Sequence, residues 1–220
     1  MTAGEFSVHP VVKNTTDWNN IIRSISNDRQ YKGHQIIIDG DVAVQGTSYN
    51  SWTFGRNAIS ILITGSGRLR LSNPGALITL NGQTLVIDAP ALALEGLGSG
   101  RNNNQPLFVV ENRGKLDLRN GTIRGNSIQG GNIGNGGGVF VGNQSSFVMS
   151  GGTITGNAAA RSGNAGNGGG VYVQGNFTMT GGTITGNTAN QGGGVYVSSS
   201  GTFSRNNGTV TGNNPDNIYQ

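Results

Sequence analysis

Asp88 and Asp117, with Arg70 and Arg119, are the residues of this chain whose types best suit acid–base chemistry. A carboxyl group would take or give the proton, and a guanidinium would hold an anionic group beside it. On a solvated sheet, the same residues make an ordinary ion-pair ladder. The other carboxylates of this region are Asp39, Asp41, Glu95 and Glu111, and after Asp117 the next is Asp216. His9 and His34, the only histidines, stand near the N-terminus, apart from any patterned Ser or Asp that would make a triad. Cysteine is absent, which removes disulfides, thiolate zinc sites and a thiol nucleophile. No GxxxxGK(S/T) loop occurs, and GLGSG (96–100) lacks the strand–turn–helix setting of a dinucleotide fingerprint. GGNIGNGGG (130–138) has asparagine where a calcium-binding nonapeptide needs its aspartate. No metal and no cofactor is expected.

Two other sets of residues recur instead of clustering. Phe140, Tyr172 and Tyr196 each stand between two valines, in GGGVFV (136–141), GGGVYV (168–173) and GGGVYV (192–197). Thr153 and Thr155, Thr183 and Thr185, and Thr209 and Thr211 each flank a single Ile or Val. Their positioning follows from a repeat. SSFVMSGGTITGN (145–157), GNFTMTGGTITGN (175–187) and GTFSRNNGTVTGN (201–213) align almost without gaps, and LFVVENRGKLDLRNGTIRGN (107–126) is a degenerate earlier copy. Within each copy Val139 and Val141, Phe147 and Met149, then Ile154 and their equivalents fall on one face. That is the period of a strand with one buried side.

Such short strands cannot close a core alone, but stacked coils about 4.8 Å apart can. The pattern predicts an all-β chain, a parallel β-helix of about seven coils over 35–213. Asn126, Asn157, Asn187 and Asn213 end equivalent strands, where stacked amides would hydrogen-bond along the axis. The first 34 residues read as a cap with an amphipathic helix over about 16–26, Thr16 capping it and Trp18, Ile21, Ile22 and Ile25 on one side. Residues 214–220 read as a thin C-terminal tail, with Ile218 and Tyr219 as plugs, so a domain cut from a longer protein is expected. The 40 glycines and the 34% hydrophobic content fit a solenoid, in which glycine serves the turns and one thin apolar ladder per strand suffices. Charged residues are only 11%, which argues against a disordered, highly charged chain.

The GGGV(F/Y)V and GGTITGN blocks resemble the repeats of bacterial adhesin-like surface proteins built on right-handed parallel β-helices. They are similar to the paired GGA(I/L/V) and FxxN motifs of polymorphic outer-membrane proteins. Gly138-Val139, Gly170-Val171 and Gly194-Val195 stand for the first motif; Ile154 to Asn157, Ile184 to Asn187 and Val210 to Asn213 stand for the second. Here glycine replaces alanine, and Ile or Val replaces phenylalanine. The likeness covers about 107–213, and the earlier part matches only the broad pectate-lyase-like superfold. The resemblance implies right-handedness, export to the cell surface or medium, and a binding role. The superfold also implies, for its lyases and hydrolases, clustered carboxylates as calcium ligands or as a catalytic pair. A polyuronate lyase would use Asp88, Asp117, Arg70 and Arg119.

The leading expectation is a non-catalytic, exported, adhesin-like module that binds carbohydrate or a host or cell-surface component. An outward column of Phe140, Tyr172 and Tyr196 would be its platform, unless loops 125–137 and 156–169 fold back over the rings. One alternative is ice binding through Thr153, Thr155, Thr183, Thr185, Thr209 and Thr211, whose array resembles those of TxT-bearing ice-binding solenoids and is interrupted by Arg124 one coil earlier. The other is a polysaccharide lyase or glycoside hydrolase. The net charge is +4, and Arg101, Arg113, Lys115, Arg119 and Arg124 make one locally basic region. Without a lysine-rich stripe or interleaved aromatics, nucleic acid is not an expected partner. No stretch approaches the length of a membrane span. MTAGEFSVHP lacks the apolar core of a signal peptide, so an export signal would already have been removed.

Overall fold

Alternating apolar residues between Gly/Asn/Ser turns leave the chain little choice but short strands that bury one face. The computed structural model describes residues 6–48, 51–98, 101–129, 134–159 and 166–220. In it the strands run from two to six residues and pair in parallel, coil upon coil. Three long sheets result. The first has eight strands, from Phe6–Val8 to Thr202–Arg205; the second has seven, from Asp41–Val44 to Thr209–Thr211. The third has six, from Ile78–Asn81 to Ile218–Tyr219, and a small sheet joins Ser127–Ile128, Ala158–Ala159 and Thr188–Ala189. The chain is a parallel β-solenoid of about seven coils.

The expected ladders are present in register. Val139, Val171 and Val195 align; so do Phe147, Phe177 and Phe203, and Ile154, Ile184 and Val210. The phenylalanines stack with ring centroids 4.6 and 4.7 Å apart, Phe147 and Phe177 inside the core and Phe203 partly buried against it. Arg205 takes the place that Met149 and Met179 hold in earlier coils and is exposed, so the apolar column stops there. The tail does more than plug the end. Ile218–Tyr219 adds a strand beside Val195–Val197, and Ile218 packs against the core.

The helix spans Thr15–Asn27, and its cap is Asn14, not Thr16: the Asn14 Oδ1 accepts from the Asp17 N–H at 3.0 Å. Asp17 in the first turn complements the helix dipole. Trp18, Ile21 and Ile25 are buried in the main core, each contributing about 1.5–3 kcal/mol, which fastens the helix over the N-terminal coils.

Close stacking sets two requirements. A Cβ on Gly170 would lie 2.5 Å from the Gly194 carbonyl oxygen of the next coil, so a side chain there would push the coils apart. Gly168 and Gly192 turn the chain at φ of +68° and +60°, where other residues are strained. Beside these turns runs an amide ladder. Asn157 donates to Asn187 at 3.1 Å, Asn187 to Asn213 at 3.0 Å and Asn213 to Asn217 at 3.1 Å. At its other end Asn103 donates to Asn126 at 2.8 Å, and the Asn126 N–H reaches the Asn157 side chain at 3.2 Å. Asn103 and Asn217, outside the four repeats that align, extend the expected ladder at both ends.

Candidate functional site

The outer face of the second sheet is half charged and half threonine. One column reads Asp41, Arg68, Ala93, Thr122, Thr153, Thr183, Thr209; beside it stand Ala43, Arg70, Glu95, Arg124, Thr155, Thr185, Thr211. The six threonines singled out by their spacing therefore form two straight columns. Thr153, Thr155, Thr183 and Thr185 are partly exposed, and Thr209 and Thr211 exposed. Thr122 extends one column by a rung. Arg124 interrupts the other but turns toward the charged half, its Nε 2.8 Å from the Glu95 carboxylate. The array offers methyls and hydroxyls about 4.8 Å apart along the axis.

The charged half is an ion-pair ladder that sequence reasoning did not assemble. The Asp41 carboxylate lies 2.5 Å from Arg68 and 2.7 Å from Arg70, and Glu95 lies 3.3 Å from Arg68. Hydrogen bonds from Arg68 and Arg70 hold the Asp41 carboxyl below its usual range. These pairs face solvent and are worth about 0–1 kcal/mol each, which makes the ladder a surface pattern more than a source of stability.

The proposed carboxylate–arginine constellation forms only in part. Arg70 is taken up by Asp41 on the second sheet. Asp117, on the first sheet, pairs with Arg119 at 3.1 Å, and Asp88 accepts from the Asn120 amide at 2.8 Å. The register sets Asp117 beside Val86, two residues before Asp88, and leaves Arg70 on a different sheet. No group of three His, Cys, Asp or Glu residues suited to a metal occurs among the described residues. The histidines, by contrast, are not isolated. Phe6–Val8 pairs with Gly33–Gln35 and brings His9 Nε2 to 3.1 Å from His34 Nδ1, with the Asp28 carboxylate 3.9 Å from the latter. Burial pushes both imidazoles below their ordinary range.

The aromatic column is real, but mostly closed. Phe140, Tyr172, Tyr196 and Tyr219 stack as nearly parallel rings, with centroids 5.6, 5.1 and 5.1 Å apart. Phe140 is only 7% exposed and Tyr172 only 8%, so these two are not the open platform that alternation suggested. Each ring covers its neighbour's face, and Ala76 and Val109 join them in a small apolar cluster of their own. A Cβ on Gly142 would meet the Phe140 ring at 3.4 Å, so the chain also runs close along its edge. Burial raises the pKa of the Tyr172 phenol. Of the loops expected as covers, residues 130–133 and 160–165 lie outside the described residues, as do Ser99 and Gly100 of GLGSG. The ladder opens at its C-terminal end: Tyr196 is half-buried and Tyr219 is 38% exposed. They border a cavity of about 480 Å³ with Ser198, Phe203 and Gln220. Tyr219 is the rung that sequence reasoning missed; its signal was an Ile-Tyr pair echoing the Val-Tyr of the preceding coils.

No helix is long and apolar enough to cross a membrane among the described residues. No protein family, curated protein or solved structure matches the chain.

Proposed function

We propose that this protein is a non-catalytic, exported surface module of the adhesin-like kind, a right-handed β-helix that binds carbohydrate or another cell-surface component. The observation that carries this reading is the ring ladder that is buried at Phe140 and Tyr172 and open at Tyr196 and Tyr219. A stack fixed from below presents its last rings without loss of side-chain freedom, and a sugar ring or a planar apolar group can lie against them. Serine and glutamine at the cavity rim supply hydrogen-bonding groups for hydroxyls. The resemblance of the GGGV and GGTITGN blocks to surface-protein repeats supports export and a location outside the cell. The test is a glycan-array screen followed by titration of the hits. Replacing Tyr196 and Tyr219 together by Ala weakens binding by about tenfold or more, the loss of about 1.4 kcal/mol expected for removed ring contacts. Unchanged binding in that variant removes the reading.

Ice binding is the second reading, favoured by one specific observation: three aligned TxT rungs on a straight outer face, free of charge from Thr153 onward. It predicts thermal hysteresis in the wild type, abolished by Thr183→Tyr, which places a bulky ring in the middle of the array. Wild-type protein without hysteresis or inhibition of ice recrystallisation ends it. A lyase or hydrolase has less support, because Arg70 pairs with Asp41 on another sheet, Asp88 accepts from Asn120, and only Asp117 and Arg119 meet.

A further inference from the structure

Before Ser60–Gly65 an exposed tryptophan, Trp52, leads into a firmly held stretch from Thr53 to Ala58. Phe54 is fully buried in the main core. Ser26 Oγ donates to the Phe54 carbonyl at 3.1 Å, and the Thr53 N–H donates to the Thr79 carbonyl at 3.2 Å. The Thr79 N–H returns a bond to Thr53 Oγ1 at 2.9 Å, and the Ala58 N–H reaches the Gly82 carbonyl at 3.2 Å. Gly55, at φ of +63°, runs so close to Ser26 that a Cβ would fall 2.8 Å from its Oγ. With the backbone tied down from Thr53 onward, Trp52 nevertheless stays 48% exposed, against 4% for Trp18, the other tryptophan.

Around the indole lie Arg29, Gly55, Arg56 and Asn57, lining a shallow cavity of about 360 Å³. Arg56 Nη1 is fixed by the Asp28 carbonyl oxygen, which aims the guanidinium while leaving its other nitrogens for a ligand. Neither arginine makes a salt bridge among the described residues. The nearby Asp28 carboxylate is itself engaged, with Oδ1 accepting from the Gln30 and Tyr31 N–H groups. A flat apolar surface, two guanidinium groups without carboxylate partners and a side-chain amide therefore share one rim.

We infer that this rim is a binding site for an anionic saccharide, in which a sugar ring stacks on Trp52 and its carboxylate or sulfate is held by Arg29 and Arg56. Indole faces suit the C–H faces of sugars, and guanidinium recognises planar anions through paired N–H groups. The site is at the opposite end of the solenoid from Tyr196 and Tyr219, so it stands or falls separately from the function proposed above.

Titration of the intact protein with an oligogalacturonate tests it. Because Trp18 is buried, a ligand on Trp52 is read as reduced iodide quenching of the exposed indole. Calorimetry of Trp52→Ala and Arg29→Gln is expected to give affinities lower by about tenfold or more. Arg29 is exposed and ties down no backbone, so its variant folds normally. A neutral maltooligosaccharide of equal length and inorganic sulfate alone are both expected to bind far more weakly. Equal binding of the neutral sugar, equal binding of sulfate alone, or full affinity in Trp52→Ala overturns the assignment.

Discussion

Asn187→Ala tests whether the amide ladder holds the coils together. The side chain is fully buried and has five contacts. Its Nδ2 donates to Ile154 O at 3.0 Å, Thr185 O at 3.1 Å and Asn213 Oδ1 at 3.0 Å; its Oδ1 accepts from the Asn157 N–H at 3.0 Å and the Asn157 Nδ2 at 3.1 Å. Alanine leaves the Asn157 N–H buried without that acceptor, at a cost of about 1–3 kcal/mol. The other lost bonds share two donors, and they add about 1 kcal/mol per donor, for a total of about 3–5 kcal/mol. Asn187→Asp is worse than Ala, since it sets a carboxylate against three oxygens that now receive a donor. Urea unfolding gives the overall loss. Because solenoids open coil by coil, amide exchange at Asn157 gives the local one. Thr185→Ala, two residues away on the surface, changes stability by at most about 0.5 kcal/mol. A loss below about 1.5 kcal/mol for Asn187→Ala, with the Asn157 amide still protected, refutes the reasoning.

The buried histidine pair makes stability depend on mild acid. Burial lowers both imidazoles from the ordinary 6.5, so below that pH the unfolded chain takes up protons that the folded chain resists, and stability falls as pH drops through the window. Glu111, raised by burial from 4.5, gives the opposite slope, so the measurement is the difference between wild type and His9→Gln in urea midpoints from pH 7.5 to 5.0. The variant is expected to show the smaller fall, and equal falls would exclude the pair as the cause. Arg124→Thr completes a fourth TxT rung above Glu95. It changes the melting temperature little, since the lost ion pair is exposed, and it raises thermal hysteresis if the threonine face binds ice. Hysteresis present in the wild type yet unchanged in the variant would show that this face is not the one in contact with ice.

Much of the scaffold was legible because a period of two and a repeated block almost without internal gaps specify the register directly. Val139 must lie beside Val171, and Phe147 beside Phe177, or every side chain changes face. The helix was legible from its apolar spacing, though its cap was displaced by two residues, because Asn14 and Thr16 both suit that role. The sites were less legible. Alternation places Phe140 and Tyr172 outside the core, but it does not say that they cover one another and that the chain at Gly142 runs along them. The first coils also lack the clean repeat, so Asp41, Arg68, Glu95 and Arg124 could not be aligned into one column from spacing alone.

The sequence by itself determined the solenoid, its inward ladders, the amide column and the two threonine columns, since these depend on blocks that recur in the same order whatever the length of the loop between them. Tertiary structure alone decided which outer faces are open and which polar groups meet. The parallel pairing of Phe6–Val8 with Gly33–Gln35 joined His9 to His34, the tail strand supplied Tyr219, and an anchored loop left Trp52 in solvent. The histidine and tryptophan placements rest on contacts between segments of unrelated sequence, and the tail strand on a two-residue echo too short to fix its place, so burial and hydrogen bonding set the distances.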